Sequence, residues 1–250
     1  MVSILLAASL LRPGPMDITL SVDGVDRKAI IYRSNGKERT SPLVFVFHGF
    51  MGNARQASIS YHVQDSWPEA TVIYPQGLDV NLLGRSGPGW QIAPKMQDSR
   101  DVKFFDALLK KAKTDYSTDA KRTYTCGMSN GAIFSYVLLT ERAGSLAGAA
   151  PVAGFAAGGF KGAPATPILI IHGTKDNLLT IQSAERSRAM AIANNGVGKT
   201  EKEWMPGYVQ YTPAPEGNDV IWHQHDGGHI WPSDATEAIV KFFKGHRRKD

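Results

Sequence analysis

One cysteine, Cys126, stands in the 250-residue chain, so no intrachain disulfide can staple the fold. The apolar segment at residues 2–11 falls far short of the length that spans a bilayer. An excess of one charge is also missing. Lys and Arg number 28 against 23 Asp and Glu, for a net charge of +5. The basic residues are dispersed apart from Lys110, Lys111 and Lys113 and the tail at 244–249. Such short runs read as solvated helix faces or chain ends, so no nucleic-acid partner is expected.

What remains is ordinary globular composition, 42% hydrophobic and 20% charged. The length suits one α/β domain with a core that needs no staples. Residues 16–250 are expected to form it, with 1–15 as an N-terminal extension. Residues 2–11 resemble the hydrophobic part of a signal peptide, and Ala7-Ala8-Ser9 is small enough for cleavage. No basic residue precedes them, so a stretch packed on the domain, or a start inside a longer leader, is the other reading. A leader implies a secreted or periplasmic protein, its absence a cytoplasmic one.

The chain is organised around Gly127-Met128-Ser129-Asn130-Gly131. A β-prone run, Arg122-Thr123-Tyr124-Thr125-Cys126, precedes it, and the apolar run at 132–139 reads as a buried helix. Gly-x-Ser-x-Gly between strand and helix forces a tight turn that leaves the serine hydroxyl outward, at a helix N-terminus whose free N–H groups suit a developing negative charge. With 25 glycines present the motif alone is weak, and a base, an acid and a second oxyanion donor must come from elsewhere. Cys126 is read as a buried strand end, since Ser129 holds the exposed position.

Residues 16–22 and 27–33 alternate around Asp23-Gly24 and predict an edge hairpin. Leu43-Val44-Phe45-Val46-Phe47 is apolar throughout, as in a strand covered on both faces. It runs into His48-Gly49-Phe50-Met51-Gly52-Asn53, at the carboxyl end where open α/β sheets place ligands. His48 is read as a brace for that loop, and the Phe50 N–H as the second oxyanion donor beside that of Asn130. A strand at 70–74 leads into Pro75-Gln76-Gly77 and a Gly-rich stretch to residue 93 that reads as a long functional loop. Trp90, near its end, either lines a pocket or pins the loop.

A helix is expected at 98–113, strands at 146–152 and 167–172, a helix at 182–194, an edge strand and loop at 199–211, a last strand at 220–225 and a terminal helix at 233–244. The connection at 153–166 is too short for a cap. His172-Gly173-Thr174-Lys175-Asp176 puts a carboxylate just past a strand end, and His229 sits in a glycine-flanked loop. Ser129, Asp176 and His229 thus follow the order nucleophile, acid, base. His223, His225, Asp226 and His229 offer the ligand types of a zinc set. The loop position of His229 favours the serine chemistry, and no metal is expected.

The successive motifs His48-Gly49-Phe50-Met51-Gly52-Asn53, Tyr74-Pro75-Gln76-Gly77, Asp101-Val102-Lys103-Phe104, Cys126 to Ala132, His172 to Asp176 and Gly227-Gly228-His229-Ile230-Trp231-Pro232 resemble those of the feruloyl esterase and polyhydroxybutyrate depolymerase group. The resemblance spans residues 25 to 245. It implies an α/β-hydrolase fold, a mostly parallel sheet with helices on both faces and no cap. It also implies a Ser129, Asp176, His229 triad with no cofactor, and a small-molecule or polysaccharide-linked ester as substrate. Gln76, Trp90 and Trp231 become candidate substrate contacts. Acetylxylan esterases and short-chain polyhydroxyalkanoate depolymerases share the pattern. Depolymerases of solid polyester usually add a linker and binding domain, which this chain does not show. Phe50-Met51 replaces the smaller residues often found after His-Gly. A non-catalytic carbohydrate-binding relative is the reading from another class, and the ordered Ser, Asp and His argue against it.

Overall fold

The structure is a computed structural model describing residues 14–82, 84–213 and 218–248. The expected leader at 2–11 lies outside the described residues.

Strand β3 (Ser41–Phe47) is buried at every position. Its alternate side chains feed two cores. Leu43, Phe45 and Phe47 join one with α3 (Arg100–Asp115), α4 (Asn130–Glu141) and α5 (Ile181–Asn194), while Val44 and Val46 join the other with α1 (Ala54–Tyr61), α2 (Val63–Ser66) and α6 (Ala235–Lys244). An uninterrupted apolar strand is what covering by helices on both faces requires. Beside β3 run β4 (Thr71–Pro75) and β7 (Thr118–Met128), followed by β8 (Gly148–Val152), β9 (Ile168–Gly173) and β12 (Val220–His225), all parallel.

Antiparallel strands close both edges. The expected hairpin, β1 (Met16–Val22) and β2 (Val25–Tyr32), pairs with β4. At the far edge lie β11 (Tyr208–Pro213) and β10 (Val197–Met205). The ten-stranded order is β1-β2-β4-β3-β7-β8-β9-β12-β11-β10. From β3 the chain winds to β4 on one side and to β7 on the other, so the crevice between β3 and β7 is a topological switch point. There Phe47 is in register with Gly127, which sets the carboxyl ends of the two strands side by side.

Three segments differ from expectation. The Gly-rich stretch after Gly77 is a separate hairpin, β5 (Leu78–Leu82) with β6 (Arg85–Gly89). Strand β5 does alternate, Leu78, Val80 and Leu82 against Asp79 and Asn81, but it is five residues inside a Gly- and Ser-rich stretch, and β6 carries glycine, serine and proline where apolar residues would mark a partner strand. Residues 199–211 contain a second hairpin, turned at Gly207 with φ 79°. Helix α1 was not foreseen because it buries small residues, Ala54, Ala57 and Ser58, along with Tyr61. Its one local signal is Asn53, whose Oδ1 caps the helix by accepting from Gln56 N at 2.8 Å. No helix or strand is present between β8 and β9, as the short connection requires.

Candidate active site

Ser129 sits between β7 and α4 at φ 58°, ψ −121°, a backbone state that L residues rarely occupy. Ser129 N donates to Val152 O at 3.0 Å, and Ser129 O accepts from Ile133 N at 3.0 Å, which pins the turn from both sides. A Cβ on Gly127 would lie 2.6 Å from Phe47 O, and one on Gly131 2.7 Å from His48 O. Close passage of β3 therefore demands both glycines of the motif. Ser129 is left half-buried at the crevice, with Gly49 beside it.

The loop after β3 is a reverse turn in which Gly52 N donates to Gly49 O at 3.0 Å and Met51 takes φ 62°. Its other groups are tethered as well. Trp90 Nε1 donates to His48 O at 2.9 Å, and Met51 N to Pro88 O at 2.7 Å. His48 is buried and its tautomer follows from its partners. Gly77 N donates to His48 Nε2 at 3.0 Å, so the ring proton is on Nδ1, which donates to Gly49 O at 2.7 Å. Gly49 O and Phe50 N share one peptide unit and point opposite ways. By holding the carbonyl, His48 fixes the direction of the Phe50 N–H. Among the described residues neither Phe50 N nor Asn130 N donates to a protein acceptor. Burial pushes the His48 imidazole down to about 4, against the raising effect of the Gly49 carbonyl, so it is neutral near pH 7.

Asp176 lies beyond β9 with its carboxylate enclosed. Oδ1 accepts from Leu178 N at 2.9 Å and Leu179 N at 2.8 Å, and Oδ2 accepts from His229 Nδ1 at 2.7 Å. Burial raises the Asp176 carboxyl, but the Leu179 N–H, His229 and the Leu178 N–H together hold it below its ordinary value. An ionised Asp176 makes His229 Nδ1 the donor and leaves Nε2 with a lone pair. The sequence reading did not single out His172. It is fully buried, with Nε2 2.6 Å from Leu179 O and 3.4 Å from Asp176 Oδ2, so it braces the carboxylate loop. Its place before glycine at a strand end, repeating His48-Gly49, was the available signal.

His229 and Met128, the neighbour of Ser129, border one cleft of about 350 Å³ together with His48, Gly49 and Trp231. The remaining candidates separate by burial. Trp90 is 0% exposed, packed between Phe47 and Phe134, and gripped by the Asn130 side chain; it is a loop anchor and not a pocket wall. Gln76 also departs from the reading as a substrate contact. Its Oε1 accepts from Ala54 N at 2.9 Å and its Nε2 donates to Gly77 O at 3.1 Å, so its amide ties β4 to α1. Trp231 is half-buried on the cleft.

Cys126 is fully buried, and burial pushes its thiol up. The imidazoles of the zinc reading are committed to separate partners. His223 Nδ1 donates to Gly207 O at 2.7 Å, His225 Nδ1 accepts from Gly227 N at 3.1 Å, and His229 faces Asp176. Asp226 is exposed. Among the described residues no group of metal-ligating side chains is gathered, and no helix is long and apolar enough to cross a membrane.

No family model matches the chain. It is 25% identical over 236 residues to feruloyl esterase D of Neurospora crassa, covering 85% of this chain and 77% of that one. It is 23% identical over 217 residues to poly(3-hydroxyalkanoate) depolymerase C of Paucimonas lemoignei, spanning 85% of this chain and 47% of the relative. Among solved structures, acetyl xylan esterase from Aspergillus awamori superposes with a TM-score of 0.73 at 16% identity, covering 93% of this chain and 99% of that one. The resemblance read from the motifs is borne out by these names, and the fold is that of the α/β-hydrolase esterases.

Proposed function

We propose that the chain is a serine carboxylesterase that releases hydroxycinnamoyl groups, feruloyl above all, from plant cell-wall polysaccharide. The observation that carries this is the 2.7 Å pair of His229 Nδ1 and Asp176 Oδ2, with His229 on the cleft that Met128, the residue before the strained Ser129, also borders. The similarity to feruloyl esterase D supports the ester class.

In this reading His229 Nε2 takes the Ser129 proton as Oγ attacks the ester carbonyl carbon. The N–H groups of Phe50 and Asn130 hold the resulting oxyanion. Collapse breaks the bond to the alcohol oxygen, which leaves with the proton from His229. Water then repeats the sequence on the acyl-enzyme, releasing the acid and restoring Ser129. Asp176 orients the imidazole and stabilises its cation. Such a substrate suits a protein acting outside the cytoplasm.

The absence of a folded unit between β8 and β9 leaves the serine side open, which favours an ester on a bulky polymer over a long acyl chain that needs an apolar tunnel. Phe50-Met51 at the oxyanion turn favours a second reading, an acetylxylan esterase with a short acyl site. A panel of methyl ferulate, acetylated xylan, a hydroxybutyrate oligomer and a long-chain fatty ester tests both. Highest kcat/KM on methyl ferulate is expected. Acetyl-only turnover selects the second reading, and equal or better turnover of the fatty ester contradicts both.

A further inference from the structure

The cleft lined by His229 and Met128 is a groove with two chemically different walls. One wall is the Trp231 ring, stacked on Tyr61 at 4.1 Å with 16° between planes. Trp231 Nε1 donates to Thr236 Oγ1 at 3.0 Å, and that hydroxyl donates to Tyr61 O at 2.9 Å. The indole is thus locked in place with its only polar atom satisfied inside the protein. Its exposed part offers an apolar ring.

The other wall is α1 and its cap. Asn53, Gln56 and Ser60 fall three and four residues apart, on one helix face, and all are exposed. Asn53 Nδ2 reaches Gln56 Oε1 at 3.4 Å and orients that amide. Among the described residues Gln56 Nε2 and Ser60 Oγ have no protein partner. No Asp, Glu, Lys or Arg lines the cleft. A rigid apolar face opposite neutral donors and acceptors matches a neutral ring with C–H groups on its face and hydroxyls on its edge, and offers nothing to an ionised ligand.

We propose that this groove is the subsite for the alcohol half of the ester and binds a neutral sugar ring, stacked on Trp231 and hydrogen-bonded to Gln56 and Ser60. The assignment of the alcohol half rests on the function proposed above: a base that returns its proton to the leaving oxygen must lie against the alcohol, and His229 lines this groove.

The test compares two esters of ferulic acid, one on an arabinoxylan oligosaccharide and one on methanol. In the double variant Gln56→Ala/Ser60→Ala, built at exposed positions, the ratio of kcat/KM for the sugar ester over the methyl ester is expected to fall about tenfold. Trp231→Ala should lower the ratio at least as far, and Trp231→Phe should restore most of it. An unchanged ratio in the double variant overturns the assignment. Titration calorimetry with unesterified xylotriose needs no turnover and so separates the groove from the catalytic reading. Several-fold weaker binding by the double variant supports the sugar subsite even if Ser129 is not the nucleophile. Equal affinity in both proteins, or no binding by the parent, overturns it.

Discussion

The Asn130 side chain grips the Trp90 backbone from both sides, accepting from Trp90 N at 2.7 Å and donating to Trp90 O at 3.0 Å. One residue therefore supplies a backbone N–H beside Ser129 and a side-chain clamp on the segment whose indole holds His48 O. Asn130→Ala keeps the backbone donor and strips the clamp, leaving two buried backbone groups unpaired. A loss of about 2–4 kcal/mol in unfolding free energy is expected in urea titrations. An effect below about 0.5 kcal/mol would show that water replaces the clamp at no cost.

His48 acts as a positioning residue through the Gly49–Phe50 peptide. Asn at this position can place an amide near Nδ1 and keep the bond to Gly49 O, whereas Gln reaches instead toward Gly77 N. His48→Gln is expected to lower kcat on methyl ferulate by about ten- to a hundredfold with little change in KM, since a misdirected oxyanion donor acts on the transition state. His48→Asn should retain most of the rate. Equal losses in the two variants would reduce His48 to a packing role.

The same imidazole gives the stability a pH dependence. Its folded value of about 4 lies below the ordinary value of 6.5. Between these values the unfolded chain binds a proton that the folded chain refuses, so stability is lost as pH falls from about 6.5 to about 4, by roughly 3 kcal/mol. His172 and His225, both also lowered chiefly by burial, add loss of the same sign. Thermal melts across this range should show Tm falling with acid, with a shallower slope in His48→Asn. A flat profile would mean that His48 titrates alike in both states.

The carboxylate that faces His229 can be told from its neighbour in the chain. Asp176→Asn should cut kcat by about three to four orders of magnitude, because an amide no longer enforces the Nδ1–H tautomer. Asp226→Asn, at an exposed site, should cost far less. Activity is expected to survive a strong chelator. The reverse ranking, or a chelator loss restored by zinc, would move the chemistry to His223 and His225.

Much of this was legible in the chain because it rests on local patterns. The apolar run of β3, the glycines around Ser129 and the strand-end positions of Asp176 and His229 each state a local requirement. What stayed hidden depends on contacts far apart in sequence. Trp90 could not be separated into wall or anchor without Asn130, forty residues away. Gln76 looked like a ligand contact because nothing local shows its amide spent on Ala54 N. Hairpin β5–β6 alternates apolar residues in its first strand alone, and helix α1 buries mostly small residues, so neither stands out as an element by its hydrophobic period. Their role in shaping the crevice emerges only once they are folded against it.

The proposed acyl-enzyme mechanism is tested most directly by labelling with a fluorophosphonate and locating the adduct by peptide mass spectrometry, with the Ser129→Ala variant in parallel. A single adduct is expected on the Ser129 peptide, together with a fall in kcat of about four to six orders of magnitude in the variant and an unchanged Tm profile. An adduct on another residue, or near-normal turnover by Ser129→Ala, would contradict the mechanism.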